Sequence, residues 1–262
     1  MTSSNELNNF NHPMTPSIET SIFDGVEDAR FWIGKTALWG EVVDPEIYYA
    51  GLLLRAKVYV DDMKFLSKSA LDSYGYETDD DDGRSIHFAV AEQSKDGSEA
   101  RITGTSRMII KRDKNDYLPI EKSFPEIFNN SPAQDGCLEV SRFIARHEER
   151  YLQHVVNLSL IRAMTHYSLN KDTPKVYFVI EQELWDLLDY IGLPMTQLSD
   201  LKLIEGYGDT FNMAVEIDPR RIIEAVRTDK SGKLLLTQFF RNEEPNEGLG
   251  YYRSSLTGGG DV

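Results

Sequence analysis

Hydrophobic positions along the chain recur at two spacings, and the switches between them mark out the elements. In "DPEIYYAGLLLRAKVYVDDMKFL", Ile47, Leu52, Leu54, Val58 and Phe65 recur near helical spacing. They follow Asp44–Pro45, an N-cap with a first-turn proline behind it. After an acidic run, "SIHFAVAEQ" and "RITGTSRMIIKR" read as strands joined through the polar hairpin segment "SKDGSEA". "CLEVSRFIA" is a third strand. The helix "EERYLQHVVNLSLIRAMTHYSLN" comes next, with Leu152, Val155, Val156, Leu160, Ala163, Met164 and Tyr167 on one face. "KVYFVIEQ" is dense in β-branched residues, as in strands covered on both faces. "QELWDLLDYIG" is a short helix stopped by Gly192, "FNMAVEI" a late strand, and Asp218–Pro219 opens a last helix, "RRIIEAV". No internal repeat occurs. This order predicts one α/β domain over residues 21–240, a mixed central sheet flanked by helices. A polar arm (1–20) precedes it and a Gly/Ser-rich tail (241–262) follows it.

Composition narrows the partners. With 43 acidic and 28 basic residues the net charge is −15, which disfavours nucleic acid and anionic membrane surfaces as partners. The longest apolar runs, "GLLL" and "VYFVI", are far short of a membrane span, and the polar N-terminal stretch has no apolar signal core. A single cysteine, Cys137, excludes an internal disulfide and a multi-cysteine zinc site. A cytoplasmic, soluble protein is the expectation. His147, His154 and His166 make no HExxH pair, so no metal is expected; GxSxG, P-loop and GxGxxG motifs do not occur.

The polar residues inside "CLEVSRFIAR" need a reason. Strand alternation puts Glu139, Ser141 and Phe143 on one face and Val140, Arg142 and Ile144 on the other. One reading is an edge strand with a wet face. The other is an acid and a hydroxyl serving one small volume, where burial would raise the carboxyl pKa toward that of a general base. A bulge would turn Arg142 to the acid's side and make an ion pair. The acidic run "YGYETDDDDGR" reads as a solvated loop, as a weak calcium site, or as a source of partners, Asp79 and Asp82, for Arg55 and Arg107. Both arginines stand among apolar residues, in "LLLRAKV" and "GTSRMII".

Taken in order, these segments resemble the autoinducer-synthase-like branch of the GNAT acyltransferases. R-x-x-V-(F/Y) is matched by Arg55 and Tyr59, a later aromatic by Phe65, and E-x-D-x-x-D by Glu77, Asp79 and Asp82. G-x-x-R is matched by Gly104 and Arg107, and E-x-S-R-F by Glu139, Ser141, Arg142 and Phe143. The resemblance spans roughly residues 45–220. Acyl-homoserine-lactone synthases, which use S-adenosylmethionine, usually carry Trp where Phe65 stands. Long-chain N-acyl amino acid synthases are similar in Ser85, His87 and Phe88 and in "LPIE".

The resemblance implies an N-acyltransferase that moves a fatty acyl group from a thioester to the amine of an amino-acid-type acceptor. A homoserine-lactone synthase, or a fold that binds its ligand without turnover, are the alternatives. Glu139 would be the base beside Ser141. Arg55, Tyr59, Phe65, Asp79, Asp82, Arg107, Arg142 and Phe143 would form the acceptor pocket. The connection "ARHEERYL" lacks the glycine-rich loop that cradles a diphosphate at a helix N-terminus. The expected donor is therefore the acyl-phosphopantetheine of an acyl carrier protein, with acyl-CoA as the alternative, and no bound cofactor. Arg146, Arg150, Lys111 and Arg112 would supply the basic face an acidic carrier needs.

Overall fold

The computed structural model describes residues 30–33, 35–41, 45–93, 100–148, 150–204, 207 and 209–229. The arm, the tail, the Asp44 cap and the "SKDGSEA" connection lie wholly or mostly outside them.

Two strands, β1 (Arg30–Ile33) and β2 (Lys35–Glu41), precede helix α1 (Pro45–Arg55). Strands β3 (Ser85–Gln93) and β4 (Ala100–Ile110) follow, then the short helices α2 (Pro119–Ser123) and α3 (Pro125–Phe128). Next come β5 (Leu138–Ala145), α4 (Arg150–Asn170), β6 (Val176–Glu181) and α5 (Gln182–Tyr190). The two-residue strands β7 (Thr196–Gln197) and β8 (Lys202–Leu203), then β9 (Phe211–Ile217) and α6 (Pro219–Thr228), complete the order. These strands form one sheet in the order β1-β2-β3-β4-β5-β6-β9-β7, with β8 also on β9. Only β5 and β6 run parallel; every other pairing is antiparallel.

Alternation along the strands builds a core on each face of the sheet. Val90, Met108 and Val140 point to α4, where they meet Val155, Val156 and Leu160. Ile109 and Tyr177 point the other way, into Leu118, Ile120 and Phe124 of the α2–α3 segment. On that second side Ala89 and Ala91 are small enough for α1 to settle on the sheet through Ile47. A Cβ added at Gly104 of β4 would lie 2.5 Å from the Val156 side chain, so the glycine is what lets α4 lie directly on the strand. Gly104→Ala is therefore expected to lower stability by about 1–3 kcal/mol through overpacking, read as a lower Tm. An unchanged Tm would contradict this packing.

Helix α6 begins as its sequence dictates, with the Asp218 carboxylate accepting from the Arg220 N–H behind a first-turn proline. Gly192, at φ 87°, ends α5 as expected. The first predicted helix behaves differently from its pattern. After Arg55 the chain widens into a π-type helix over Ala56–Asp62, with the Met63 N–H donating to Val58 O five residues back. The hydrophobic pattern does not mark β1, β2, β7, β8, α2 or α3. The last two span only five and four residues, too few for a helical period to register. No described helix is long and apolar enough to cross a membrane.

Candidate active site

The β4–β5 register slips by one residue, Thr105 opposing Ile144 while Arg107 opposes Ser141. The extra residue sits in β5, where Arg142 adopts φ 54°, a left-handed conformation that is costly for an arginine. This bulge corrects the alternation expected for "CLEVSRFIAR". Phe143 turns to join Val140 in the core under α4, and Arg142 turns to the side of Arg107. The expected ion pair between Arg142 and Glu139 does not form. Arg142 donates instead to Glu77 at 2.8 Å and to Asp79 at 3.1 Å.

Arg142 thereby closes a ring of six charges. Arg55 Nε donates to Glu77 at 2.5 Å, and its two terminal nitrogens hold both oxygens of Asp82 at 2.7 and 3.1 Å. Arg107 reaches the same Asp82 at 2.7 Å and grips both oxygens of Asp79 at 2.5 and 2.7 Å. The circuit is Arg55–Glu77–Arg142–Asp79–Arg107–Asp82, three bases and three acids in alternation. Arg55 and Arg107 are only 1% and 2% exposed, so each survives there because its charge is matched at short range. Burial works to raise the Asp82 pKa, but the bonds from Arg55 and the charges of Arg55 and Arg107 outweigh it and hold the carboxyl well below the usual range. Ser85 and His87 support the loop that carries these acids: the Ser85 hydroxyl donates to Asp81 O, and His87 Nε2 lies 3.4 Å from Asp82 O.

Glu139 stands apart from the ring. It is buried opposite Ile109, and its Oε2 accepts from the Ile120 N–H at the start of α2 at 2.8 Å. Among the described residues no partner holds Oε1. Burial pushes the Glu139 pKa up to about 8, against the pull of the Ile120 N–H and with the Asp81 charge raising it further.

A cavity of about 710 Å³ meets these groups. Its polar end is bounded by Glu139, Ser141, Asp79, Arg107 and Arg142, and its aromatic side by Tyr59 and Phe65, whose rings stack at 6.5 Å between centroids. Arg142 also lies 5.4 Å over the Tyr59 ring, and burial pushes the Tyr59 pKa up to about 12. The remainder is mostly apolar, with polar side chains such as Asn157, Thr165 and Ser168 contributed by α4, and runs beneath that helix to Leu187, Leu188, Ile217 and Ile222. Between the two ends the sheet opens. β5 pairs with β6 only from Leu138 to Val140, and beyond that point the two strands part, with Ser141–Ala145 and Val179–Glu181 both lining the cavity.

Most of the residues singled out in the sequence meet here, though not in equal roles. Arg55 and Asp82 belong to the ring without lining the cavity, whereas Asp79, Arg107 and Arg142 do both. Phe143 lines it from the core side of the bulge. Glu77, matched by motif but not assigned to the pocket, closes the ring. Tyr207 was not foreseen; it lines the cavity, with burial first and then the Glu139 charge keeping its phenol protonated. It stands between β8 and β9 in the chain, where no sequence periodicity marks it.

The basic face needs correction. Lys111, just past the end of β4, is 1% exposed and bound to Glu121 at 2.7 Å, so its charge is matched inside the protein and does not face a carrier. Arg112 is exposed but paired with Asp116 at 2.8 Å. Arg146 is exposed and paired with Asp62. The Arg150 side chain lies outside the described residues.

Neither a protein-family model nor a curated protein matches the sequence. Solved structures do. The chain is similar to BjaI, a CoA-dependent acyl-homoserine lactone synthase solved with SAM and isopentyl-CoA, at 19% identity and TM-score 0.56, over 75% of this chain and 90% of that one. It is similar to the synthase LasI at 17% identity and TM-score 0.53, over 70% and 89% of the two chains. FeeM, an N-acyl amino acid synthase from uncultured soil microbes, matches at 18% identity and TM-score 0.51, over 78% and 97%. The chain shares the fold of these solved synthases. On this fold, the five segments that carried the resemblance come together at one cavity, six of their charged side chains in the ring and a seventh, Glu139, beside it.

Proposed function

We propose that the chain is an N-acyltransferase that moves a fatty acyl group from a carrier-protein thioester to the amine of an amino-acid-type acceptor. The observation that carries this reading is the buried Glu139 carboxyl. It lies at the point where β5 and β6 part, between a polar pocket on one side and an apolar tunnel on the other. An acyl chain of fatty-acid length suits the apolar part, and a cavity of this size is within the range of small-molecule sites.

The mechanism follows from the thioester. The amine loses a proton to Glu139 Oε1 and attacks the carbonyl carbon; the C–N bond forms, the C–S bond breaks, and the thiol departs carrying the proton. Ser141 shares the same volume and would hydrogen-bond the reacting oxygen or the departing sulfur. Backbone N–H groups of the unpaired Ser141–Ala145 edge would hold the oxyanion. Asp79, Arg107 and Arg142 would shape the acceptor end, with Arg55 and Asp82 fixing them from behind and Tyr59, Phe65 and Phe143 closing its apolar walls.

The same fold serves BjaI, a CoA-dependent synthase, so fold alone does not choose the donor. The connection between β5 and α4 favours a carrier. It has no glycine, and Glu148 in it is tied to Arg101 at 3.0 Å. Arg146 bonds Asp62 and holds its carboxyl below the usual range, with the charges of Lys57 and Lys64 adding to the effect, so three bases lie near Asp62, next in the chain to Met63 at the cavity edge. That cluster, rather than Lys111 and Arg112, would meet an acidic carrier.

Reversing Lys64 and Arg146 to Glu is expected to raise the KM for palmitoyl carrier protein about tenfold or more, with little change for palmitoyl-CoA. Steady-state assays with both donors test this. Equal turnover on the two donors, insensitive to the reversals, would give the role to CoA. Product from S-adenosylmethionine but from no amino acid would give the acceptor site to the homoserine-lactone reading.

A further inference from the structure

The "LPIE" segment holds a second buried ion pair, away from the ring. Lys111 and Glu121 are 1% and 5% exposed and joined at 2.7 Å. Glu121 does more than balance the lysine. Its Oε2 also accepts from the Leu118 N–H at 2.8 Å, and its Oε1 accepts from the Ala133 N–H at 3.1 Å. Lys111 in turn reaches Asp116 O at 3.3 Å, while its own backbone is bonded to Cys137 O and to the Gly136 N–H. One carboxylate therefore ties the turn entering α2, the loop leaving α3 and the end of β4 to each other. Pro119 follows, and the next backbone N–H, that of Ile120, donates to Glu139 at 2.8 Å.

A buried ion pair is a poor source of stability, since an apolar pair of similar volume often does as well. Its geometric consequence is specific here. The Ile120 N–H can sit on Glu139 Oε2 only if the Leu118–Ile120 turn is held in place, and Glu121 bonds that turn from within, alongside the core packing of Leu118 and Ile120. With Oε2 accepting from the backbone, the proton of the neutral carboxyl is favoured on Oε1, the oxygen without that bond. When that proton leaves, Oε1 is the oxygen that acts as base. The same N–H stabilises the charged form, so weakening it makes Glu139 harder to ionise.

We propose that the Lys111–Glu121 pair is a positioning device for Glu139, acting through the Ile120 amide to fix which carboxyl oxygen exchanges the proton. This rests on the reading of Glu139 as the base. Glu121 touches no reacting atom, and its effect reaches the chemistry through one backbone hydrogen bond.

The test is the pH profile of kcat/KM for Glu121→Gln, and for Lys111→Met/Glu121→Gln, which leaves no unpaired buried lysine and so keeps the fold if the single variant loses it. The midpoint of the rise is expected to move alkaline by about half a pH unit or more, with kcat/KM about 3- to 10-fold lower at pH 7 and most of the loss recovered at pH 9. A purely structural pair would lower Tm and leave the midpoint where it is in the parent, and that result overturns the proposal. Glu139→Gln measured alongside separates the two ideas. If it kept parental activity, the base assignment itself would fall. If it lost activity while the double variant kept the parental midpoint, only the positioning role would fall.

Discussion

Glu139→Gln is expected to lower kcat/KM by about 10²- to 10⁴-fold at neutral pH, the range in which a positioned general base contributes. Glutamine has nearly the same shape and keeps an oxygen for the Ile120 N–H, so the fold should remain. Since burial sets the Glu139 pKa at about 8, the parent rate should rise with pH up to that point and then level off. The glutamine variant should lack this rise, and the gap between the two should narrow at high pH as the acceptor amine loses its proton unaided. Stability supplies an independent readout. A carboxyl whose pKa is raised in the folded state binds its proton more tightly there, so the parent should lose stability as pH climbs from about 4.5 to 8. Glu139→Gln should be flat across that window. Thermal melts at pH 5 and pH 8 measure the difference, and identical slopes for the two proteins would mean that Glu139 ionises normally.

Asp82→Asn is expected to be the most damaging single change to stability. The Asp82 side chain is 7% exposed and is shared by Arg55 and Arg107, each 2% exposed in its side chain. Removing the carboxylate leaves two buried guanidinium groups with one acid fewer between them, a loss of about 3–5 kcal/mol. In a domain of this size that corresponds to a fall in Tm on the order of 10 °C. Activity should fall with it, because Asp79 and Arg107 belong both to the ring and to the cavity wall. The acid limb has a definite sign. Asp82 is held below its ordinary pKa, so its contribution is complete above the usual carboxylate range and is lost only as pH falls through the depressed value. An Asp82→Asn protein with parental Tm and parental turnover would show that the ring carries no weight.

The long central strands were the most legible part of the molecule. "SIHFAVAEQ" and "FNMAVEI" coincide with β3 and β9 because covered strands have dense apolar runs with clear ends. Arg55 and Arg107 could be read as members of an ion-pair cluster because an unpaired charge in an apolar stretch has no other stable arrangement. What escaped was geometry that depends on tertiary pairing. A bulge that turns Arg142 to the acid's side is among the readings of the sequence, but the partners Arg142 finds there, Glu77 and Asp79, lie 65 and 63 residues away and leave no local signal, and the turn of Phe143 into the core breaks the strict alternation. Lys111 looked like a surface lysine because its partner, Glu121, lies ten residues on, in a segment with no periodic signal. Tyr207 reaches the cavity from a stretch between β8 and β9 that likewise has no periodic signal.

The central claim is acyl transfer to an amine with Glu139 as base, and mass spectrometry of lipid extracts from cells expressing the chain tests it most directly. Cells carrying the parent sequence should contain N-acylated amino acids with fatty acyl chains, and cells carrying Glu139→Gln at equal protein level should lack them. No new acylated amine in the parent extract, or the same amount in both, would contradict the claim.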